Sequence, residues 1–331
     1  MTTANKSTST IGSESSNAIG GEGKAQKITA KGPKLDIRQS ITDRIIAMLE
    51  KGGNEARTRW TKAAKGGFPS NGKSGDAYRG VNVLILWDEA IERGYTSNVW
   101  MTYRQAEGMG ANVRKGEKAV MCAFFEMVKS KKGEDAGQDE DGKGGFFPMC
   151  KPFWVFNVAQ IENLPEAMTK PAEQAATFDP IEAAEKLLSA SGAVINHGFD
   201  GAFYAPSKDQ ICLPTRERFT SPENYYATAL HELTHWTGHE SRLDRQFGKR
   251  FGDDAYAFEE LVAELGAAFV VGSVGFVDAT IENHAAYVEN WLKVLKNDKT
   301  AIFTASKQAS LAYDFILEKA GLKVAREAYA S

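Results

Sequence analysis

The chain is expected to fold as α+β in two domains, and three features of its 331 residues lead there. Each half contains both helical and strand-like segments, with no internal repeat. Charge of opposite sign gathers in the two halves. Residues 36–132 hold 17 Lys and Arg against 11 Asp and Glu, net +6, whereas residues 166–331 hold 16 against 24, net −8. Between them runs Leu164 to Asp179, a stretch punctuated by Pro165 and Pro171 and followed by Pro180, which reads as a linker. The expected organisation is a disordered tail over 1–35, one domain over 36–163, the linker over 164–179 and a second domain over 180–331. The charge asymmetry directs the first domain to anionic partners and leaves the second a different task.

Residues 1–35 carry almost no large apolar side chain and cannot bury enough surface to order themselves. From Asp36 the pattern changes. Ile37, Ile41, Ile45, Met48 and Leu49 recur at helical spacing, with Lys51-Gly52-Gly53 closing that helix. Residues 82–93 read as a second helix ended by Gly94, and Thr102 to Met109 as a third, short one. Val113 to Met127 reads as strand, turn and strand, the turn at Lys115-Gly116 and the second strand mostly buried. Lys129 to Gly145 is a charged, glycine-rich excursion at a hairpin tip. Phe146 to Val158 returns as a strand pairing with 119–127.

The second half opens with a helix, Ile181 to Ala190. Three short strands follow, Ala193–His197, Ala202–Ala205 and Gln210–Pro214. Next comes a helix whose start is marked by Ser221 as N-cap, Pro222 at the first helical position and Glu223 in the first turn, with Gly238 at its end. Tyr256 to Phe269 forms another helix, and Tyr287–Leu295 and Ala305–Leu317 close the domain as amphipathic helices. No apolar run reaches the ~18 residues of a membrane span. The N-terminus lacks the apolar stretch of a secretory signal. The three cysteines, Cys122, Cys150 and Cys212, are too scattered for a disulfide framework or a thiolate cluster, and are expected as reduced thiols. A cytoplasmic protein is expected, with no membrane partner.

The helix from Pro222 carries His231-Glu232-Leu233-Thr234-His235, the pattern H-E-x-x-H. One helical turn separates the two imidazoles, so both can reach one metal ion. Glu232 projects beside them, where a carboxylate can take a proton from water. A third ligand is needed. His239 would extend the row to about 12 Å along the axis and could converge only if Gly238 turned the chain back. The next helix offers Glu260 and Glu264, one turn apart. Buried carboxylates need a cation or donors. One would bind the ion and the other would hold a ligating imidazole by its second nitrogen, though spacing leaves their order open. Glu259 is expected as a solvated residue. Tyr225, Tyr226 and His284 are candidate donors to a substrate. Zn²⁺ is the expected ion, with Mn²⁺ as the alternative.

The first half interleaves cations with rings and amides: Arg57, Arg59, Trp60, Asn71, Tyr78, Arg79, Asn82, Tyr103, Arg104, Lys115 and Lys118. Cations track phosphates and rings stack on bases, which is what single-stranded DNA requires. Trp87 falls in the apolar stripe with Leu84 and is expected in the core, whereas Trp60 lies in a polar stretch and is the better stacking candidate.

Several motifs also carry a resemblance. Trp60, Pro69-Ser70-Asn71, Tyr78-Arg79-Gly80-Val81-Asn82, Trp100-Met101-Thr102-Tyr103-Arg104-Gln105-Ala106, Val113-Arg114-Lys115-Gly116-Glu117 and Val155-Phe156-Asn157-Val158-Ala159-Gln160-Ile161 resemble the N-terminal domain of ArdC-type antirestriction proteins, shared with certain plasmid primases. His231–Arg242 and Tyr256–Phe269 resemble the metallopeptidase domain that follows it, of the gluzincin pattern. The resemblance covers about residues 36–320. It implies an N-terminal α+β DNA-binding domain and a C-terminal gluzincin-like metallopeptidase domain. It also orders the glutamates, with Glu260 as ligand and Glu264 as support. The implied role is a plasmid-encoded protein that binds single-stranded DNA, and double-stranded DNA more weakly, and protects DNA entering a new host from restriction. Cleavage of a host restriction-modification protein by the metal site is the alternative the resemblance leaves open.

Overall fold

A computed structural model describes residues 35–52, 67–129, 146–169, 180–246, 254–275 and 285–322. The expected tail over 1–35 and the expected excursion over 129–145 lie almost wholly outside the described residues. The first half begins with α1 (Ile37–Gly52), whose Ile41, Ile45, Met48 and Leu49 are buried. Helix α2 (Val81–Arg93) is buried along Val83-Leu84-Ile85-Leu86-Trp87, more than one face wide. Such a helix needs neighbours all round. It ends at Gly94, whose φ of 66° is the left-handed conformation that glycine adopts without steric penalty. Helix α3 (Tyr103–Gly108) starts on a capping box, Thr102 and Gln105 each satisfying the other's backbone N–H.

A four-stranded sheet runs β1 (Ser70–Asn71), β2 (Val99–Met101), β5 (Phe146–Asn157), β4 (Val120–Lys129), with β1 and β2 parallel and the other pairs antiparallel. The expected pairing of the two long strands is present, out to Lys129 opposite Phe146. The expected strand–turn–strand over 113–127 divides between two sheets: β3 (Asn112–Val113) pairs with β6 (Ile161–Glu162), not with β4. Nor is β4 mostly buried. Val120, Cys122 and Ala123 are buried, but Phe125 and Met127 are exposed. The reason is topological, because beyond Phe156 only β4 borders β5, and the pair runs on as a two-stranded ribbon.

The second half contains α5 (Pro180–Ser191), preceded by a single turn, α4 (Glu166–Thr169), in the expected linker. A three-stranded sheet follows in the order β7 (Val194–His197), β9 (Gln210–Leu213), β8 (Phe203–Ala205), β8 antiparallel at one edge. Four helices complete it: α6 (Pro222–Thr237), α7 (Asp254–Val274), α8 (Ala285–Asn297) and α9 (Ala301–Lys319). The described residues from Asp36 onward form one compact unit, and one apolar cluster draws on both halves. Phe68 lies edge-on to Trp87 of α2 and Phe269 of α7 and stacks on Tyr313 of α9. Among the described residues no helix is long and apolar enough to cross a membrane.

Helices α6 and α7 pack closely, the Thr234 side chain lying against the backbone at Gly266. A Cβ at Gly266 would lie 2.5 Å from Thr234 Cγ2. Thr234 is β-branched, fully buried, and holds the Leu230 carbonyl through its hydroxyl at 2.9 Å, so it has little freedom to yield. Gly266→Ala should therefore force the helices apart at a cost of about 1–3 kcal/mol and lower the melting temperature by roughly 3–10 °C. Calorimetry checks this; an unchanged melting temperature would mean that the contact is not a constraint.

Candidate metal centre

Helix α6 is capped by Ser221, whose hydroxyl accepts from the Asn224 N–H at 3.2 Å, and begins with Pro222. It is buried almost throughout because α7 lies along it. His231 and His235 face α7 with ring centroids 4.8 Å apart. Their Nε2 atoms both approach Glu260, at 3.6 Å from His231 and 3.4 Å from His235. These separations exceed a hydrogen bond. They match the edge of a tetrahedron around an ion with bonds near 2.0–2.1 Å, which is about 3.4 Å. One ligand atom from each of the three residues lies within 4.8 Å of the other two. Two imidazoles and a carboxylate suit a divalent ion, and this His-His-Glu group is a divalent metal site.

Each imidazole is backed on its other nitrogen. His231 Nδ1 faces Glu264 at 3.5 Å. His235 Nδ1 meets Glu259 at 3.2 Å. Here the structure corrects the sequence reading. Glu259 is buried rather than solvated, because α7 is enclosed on every side from Glu259 to Gly272. Glu259 also accepts from Arg245, with Nε at 3.0 Å and Nη2 at 2.8 Å. Arg245 escaped the sequence reading; it follows α6 in a loop, and no periodicity marks it. Two adjacent glutamates heading a run of Leu, Val, Ala, Gly and Phe from Leu261 to Gly272, broken only by Glu264, were the available signal for Glu259. His239 stays out of the group: Gly238 keeps a right-handed conformation, and His239 contacts Ser241 at 2.9 Å. Tyr225 meets His197 at 3.0 Å and Tyr226 donates to Glu185 at 2.7 Å. His284 lies outside the described residues.

Glu232 is 6% exposed, and its carboxylate takes the backbone N–H of Tyr204 in the edge strand β8. Burial raises its pKa, against the opposing pull of the two imidazoles. Burial also works against charging the histidines, but the carboxylates outweigh it. Glu260 and Glu264 hold His231 up at about 9, and Glu259 and Glu260 hold His235 up at about 10. For Glu260 burial is again the largest influence, and the flanking imidazoles overcome it and hold its carboxyl well below the usual carboxylate range.

Comparison with known proteins bears on both halves. Residues 35–156 match the family model described as the N-terminal domain of anti-restriction factor ArdC, and residues 182–308 match that of a zincin-like metallopeptidase. The crystal structure of the antirestriction ArdC protein from plasmid R388 in its metal-free form is similar at 39% identity and a TM-score of 0.71, over 88% of this chain and 100% of that one. The chain belongs to the ArdC antirestriction family. The Mn(II)-bound structure of the R388 ArdC protein is similar at a TM-score of 0.70 and 39% identity, over 86% of this chain and 98% of that one. A DNA primase TraC of Escherichia coli is 39% identical over 297 residues, 86% of this chain but 27% of the primase. The chain therefore spans about a quarter of the length of that curated relative.

In this ArdC-family chain the expected DNA-contacting residues separate into three groups. Arg57, Arg59 and Trp60 lie outside the described residues. Asn71, Tyr78, Asn82 and Arg79 are turned inward and are corrected here to structural roles. Asn71 donates to Gln105 at 3.1 Å and to the Tyr78 hydroxyl at 3.3 Å, both side chains being buried. Asn82 exchanges two hydrogen bonds with the Ala123 backbone, at 2.8 and 2.9 Å, closing the free edge of β4. Arg79 pairs with Asp314 of α9. Tyr103, Arg104, Lys115 and Lys118 are exposed. Trp87 is in the core as expected, and so is Trp100. Trp154, which the sequence reading passed over, is 49% exposed on β5.

An ion entering the site must displace the protons held by His231 and His235. Histidines raised in this way stabilise the metal-free fold below the ordinary imidazole value of 6.5, and that contribution is lost as pH climbs through about 9 and 10. The melting temperature of metal-free protein should thus fall across this window while the increase on adding Zn²⁺ or Mn²⁺ grows. Thermal shifts at several pH values test both slopes, and a metal-induced shift that shrinks with pH would refute the assignment.

Proposed function

We propose that this chain protects incoming plasmid DNA from restriction by binding single strands with its N-terminal half, and that the His-His-Glu site is built for peptide hydrolysis without being required for protection. The observation that carries the first part is a pair of exposed rings among unpaired cations. A small second core of Met101, Ala106, Ala111, Val158 and Ile161 is wrapped by α3, β3 and β6. Its surface presents Tyr103, 53% exposed, together with Arg104 at the start of α3. The turn bearing Lys115 and Lys118 is fastened to it by Gln160, whose carbonyl accepts from the Arg114 N–H and whose amide donates to the Lys118 carbonyl, both at 3.0 Å. Trp154 stands two residues from Phe156, which packs against the same small core. Among the described residues Arg104, Lys115 and Lys118 enter no ion pair. Rings for bases beside free cations for phosphates support a sequence-tolerant single-strand interface. The antirestriction activity named for the R388 relative and the DNA primase named in TraC agree with it.

The second part rests on Glu232. Three protein ligands leave a fourth position open, as hydrolytic sites do and closed structural sites do not. Zn²⁺, or Mn²⁺ as in the R388 relative, would supply Lewis acidity there. Glu232, with a pKa raised by burial, would accept a proton from the attacking water and return it to the leaving amine. The Tyr204 N–H would aim its carboxylate, and β8 offers an edge beside which a peptide could lie. In the alternative reading, in which hydrolysis itself protects the plasmid, a host restriction-modification protein would be the substrate.

Tyr103→Ala with Trp154→Ala should weaken oligonucleotide binding at least tenfold, since each lost stack is worth about 1–3 kcal/mol. Fluorescence anisotropy at fixed salt reads this, and unchanged affinity would remove the face from consideration. Glu232→Gln should keep the ion and still protect a conjugating plasmid in a restricting recipient. Loss of protection in that variant would make hydrolysis the mechanism.

A further inference from the structure

The loop after α6 returns the chain toward the metal centre. Leu243 N–H bonds the Thr237 carbonyl at 3.1 Å and Arg245 N–H bonds that of Gly238 at 2.8 Å, while Asp244 turns the backbone with a φ of 46°. The result is to insert the Arg245 guanidinium, 3% exposed, beneath the end of α6. There it donates to the Thr234 carbonyl at 2.6 Å and the Thr237 hydroxyl at 2.8 Å, the hydroxyl itself donating to that same carbonyl at 2.6 Å. Its remaining edge grips both oxygens of Glu259.

Glu259 is thus held between a guanidinium and an imidazole. With Arg245 compensating its charge, Glu259 can stay ionised in a buried position and accept from His235 Nδ1 at 3.2 Å rather than take the proton. A proton kept on Nδ1 makes Nε2 the nitrogen that an entering ion takes, and that atom faces Glu260 at 3.4 Å. We propose that Arg245 is a positioning residue of the metal centre: acting through Glu259, it fixes the tautomer and orientation of His235, so the affinity for the ion depends on a side chain that never touches it. This inference rests on the metal-site reading above. It goes further in giving the loop after α6 control over how tightly the ion is held.

The test is a double-mutant cycle on the full chain, with Zn²⁺ and Mn²⁺ titrated separately into wild type, Arg245→Gln, Glu259→Gln and the double variant. Each single change should weaken ion binding roughly 10- to 100-fold. The double variant should bind no more weakly than Glu259→Gln, because Arg245 acts only through that carboxylate. Substitution with Co²⁺ should give a visible absorption band that shifts in the single variants. Should Arg245→Gln fail to fold for want of a counter-charge on Glu259, the double variant removes both charges and the comparison with Glu259→Gln carries the test. The proposal is overturned if folded variants bind the ions like wild type, if only the metal-free melting temperature changes, or if the two losses add in the double variant. Wild-type protein that binds neither ion would overturn the metal-site reading itself, an outcome distinct from the others.

Discussion

The contact between Gly266 and Thr234 sets the terms for the rest of the C-terminal half. It lets α6 and α7 pack closely and thereby places two histidines and four glutamates in one buried volume. Buried carboxylates are tolerated only with compensation. Glu264 faces an imidazole nitrogen, Glu259 has both an imidazole and Arg245, and Glu232 has the Tyr204 N–H. Glu260 is flanked on both sides by imidazole nitrogens at distances too long for hydrogen bonds and suited to an ion between them. The polar groups are thus organised around Glu260, and the arginines that follow α6 extend that organisation. Arg242 lies 3.8 Å over the Trp236 ring and bonds Asp209 and the Tyr204 hydroxyl. It ties the strand that supports Glu232 to the same loop that supports His235.

The two halves share a core, and that sharing explains where the N-terminal polar residues went. Phe68 and Trp87 of one matched family region meet Phe269 of the other, and Tyr313, beyond both, stacks on Phe68. Arg79 reaches Asp314, and the Gly80 N–H bonds the Ser310 hydroxyl at 3.1 Å. A cation used to dock α9 is withdrawn from any phosphate. The residues proposed to meet DNA sit around the second, smaller core, whose α3, β3 and β6 contribute nothing to the shared one.

Helix ends and the metal motif were legible from sequence because their causes are local. Gly94, the Thr102–Gln105 box and the Ser221-Pro222 start each act within one turn of chain. His231 and His235 share a face wherever the helix goes. Strand partners were less accessible. The β4–β5 pairing follows from adjacency, but nothing near Val113 announces Ile161 as its partner. The state of Glu259 was hidden for a related reason: its exposure is decided by what surrounds α7, and that enclosure is a property of the assembled fold.

The same distinction accounts for the uneven outcome among aromatic and amide residues in the N-terminal half. Composition names Trp100, Tyr78, Asn71 and Asn82 as readily as Tyr103 and Trp154. What separates them is side-chain direction. On β5, Phe153 and Val155 point into the large core, so Trp154 between them must point the other way, where α3 covers Phe156 but leaves Trp154 half open. Tyr103 occupies the first turn of α3, ahead of Ala106, which faces the small core. Asn71 and Asn82 are amides with donors and acceptors that a sheet edge and a tight turn can use more fully than a nucleotide could. Once β4 presented the unpaired N–H and carbonyl of Ala123, a complementary amide on α2 was the residue type able to close both. An amide beside a strand edge is therefore more informative about the edge than about a ligand, and the proposed DNA interface rests on the exposed rings instead.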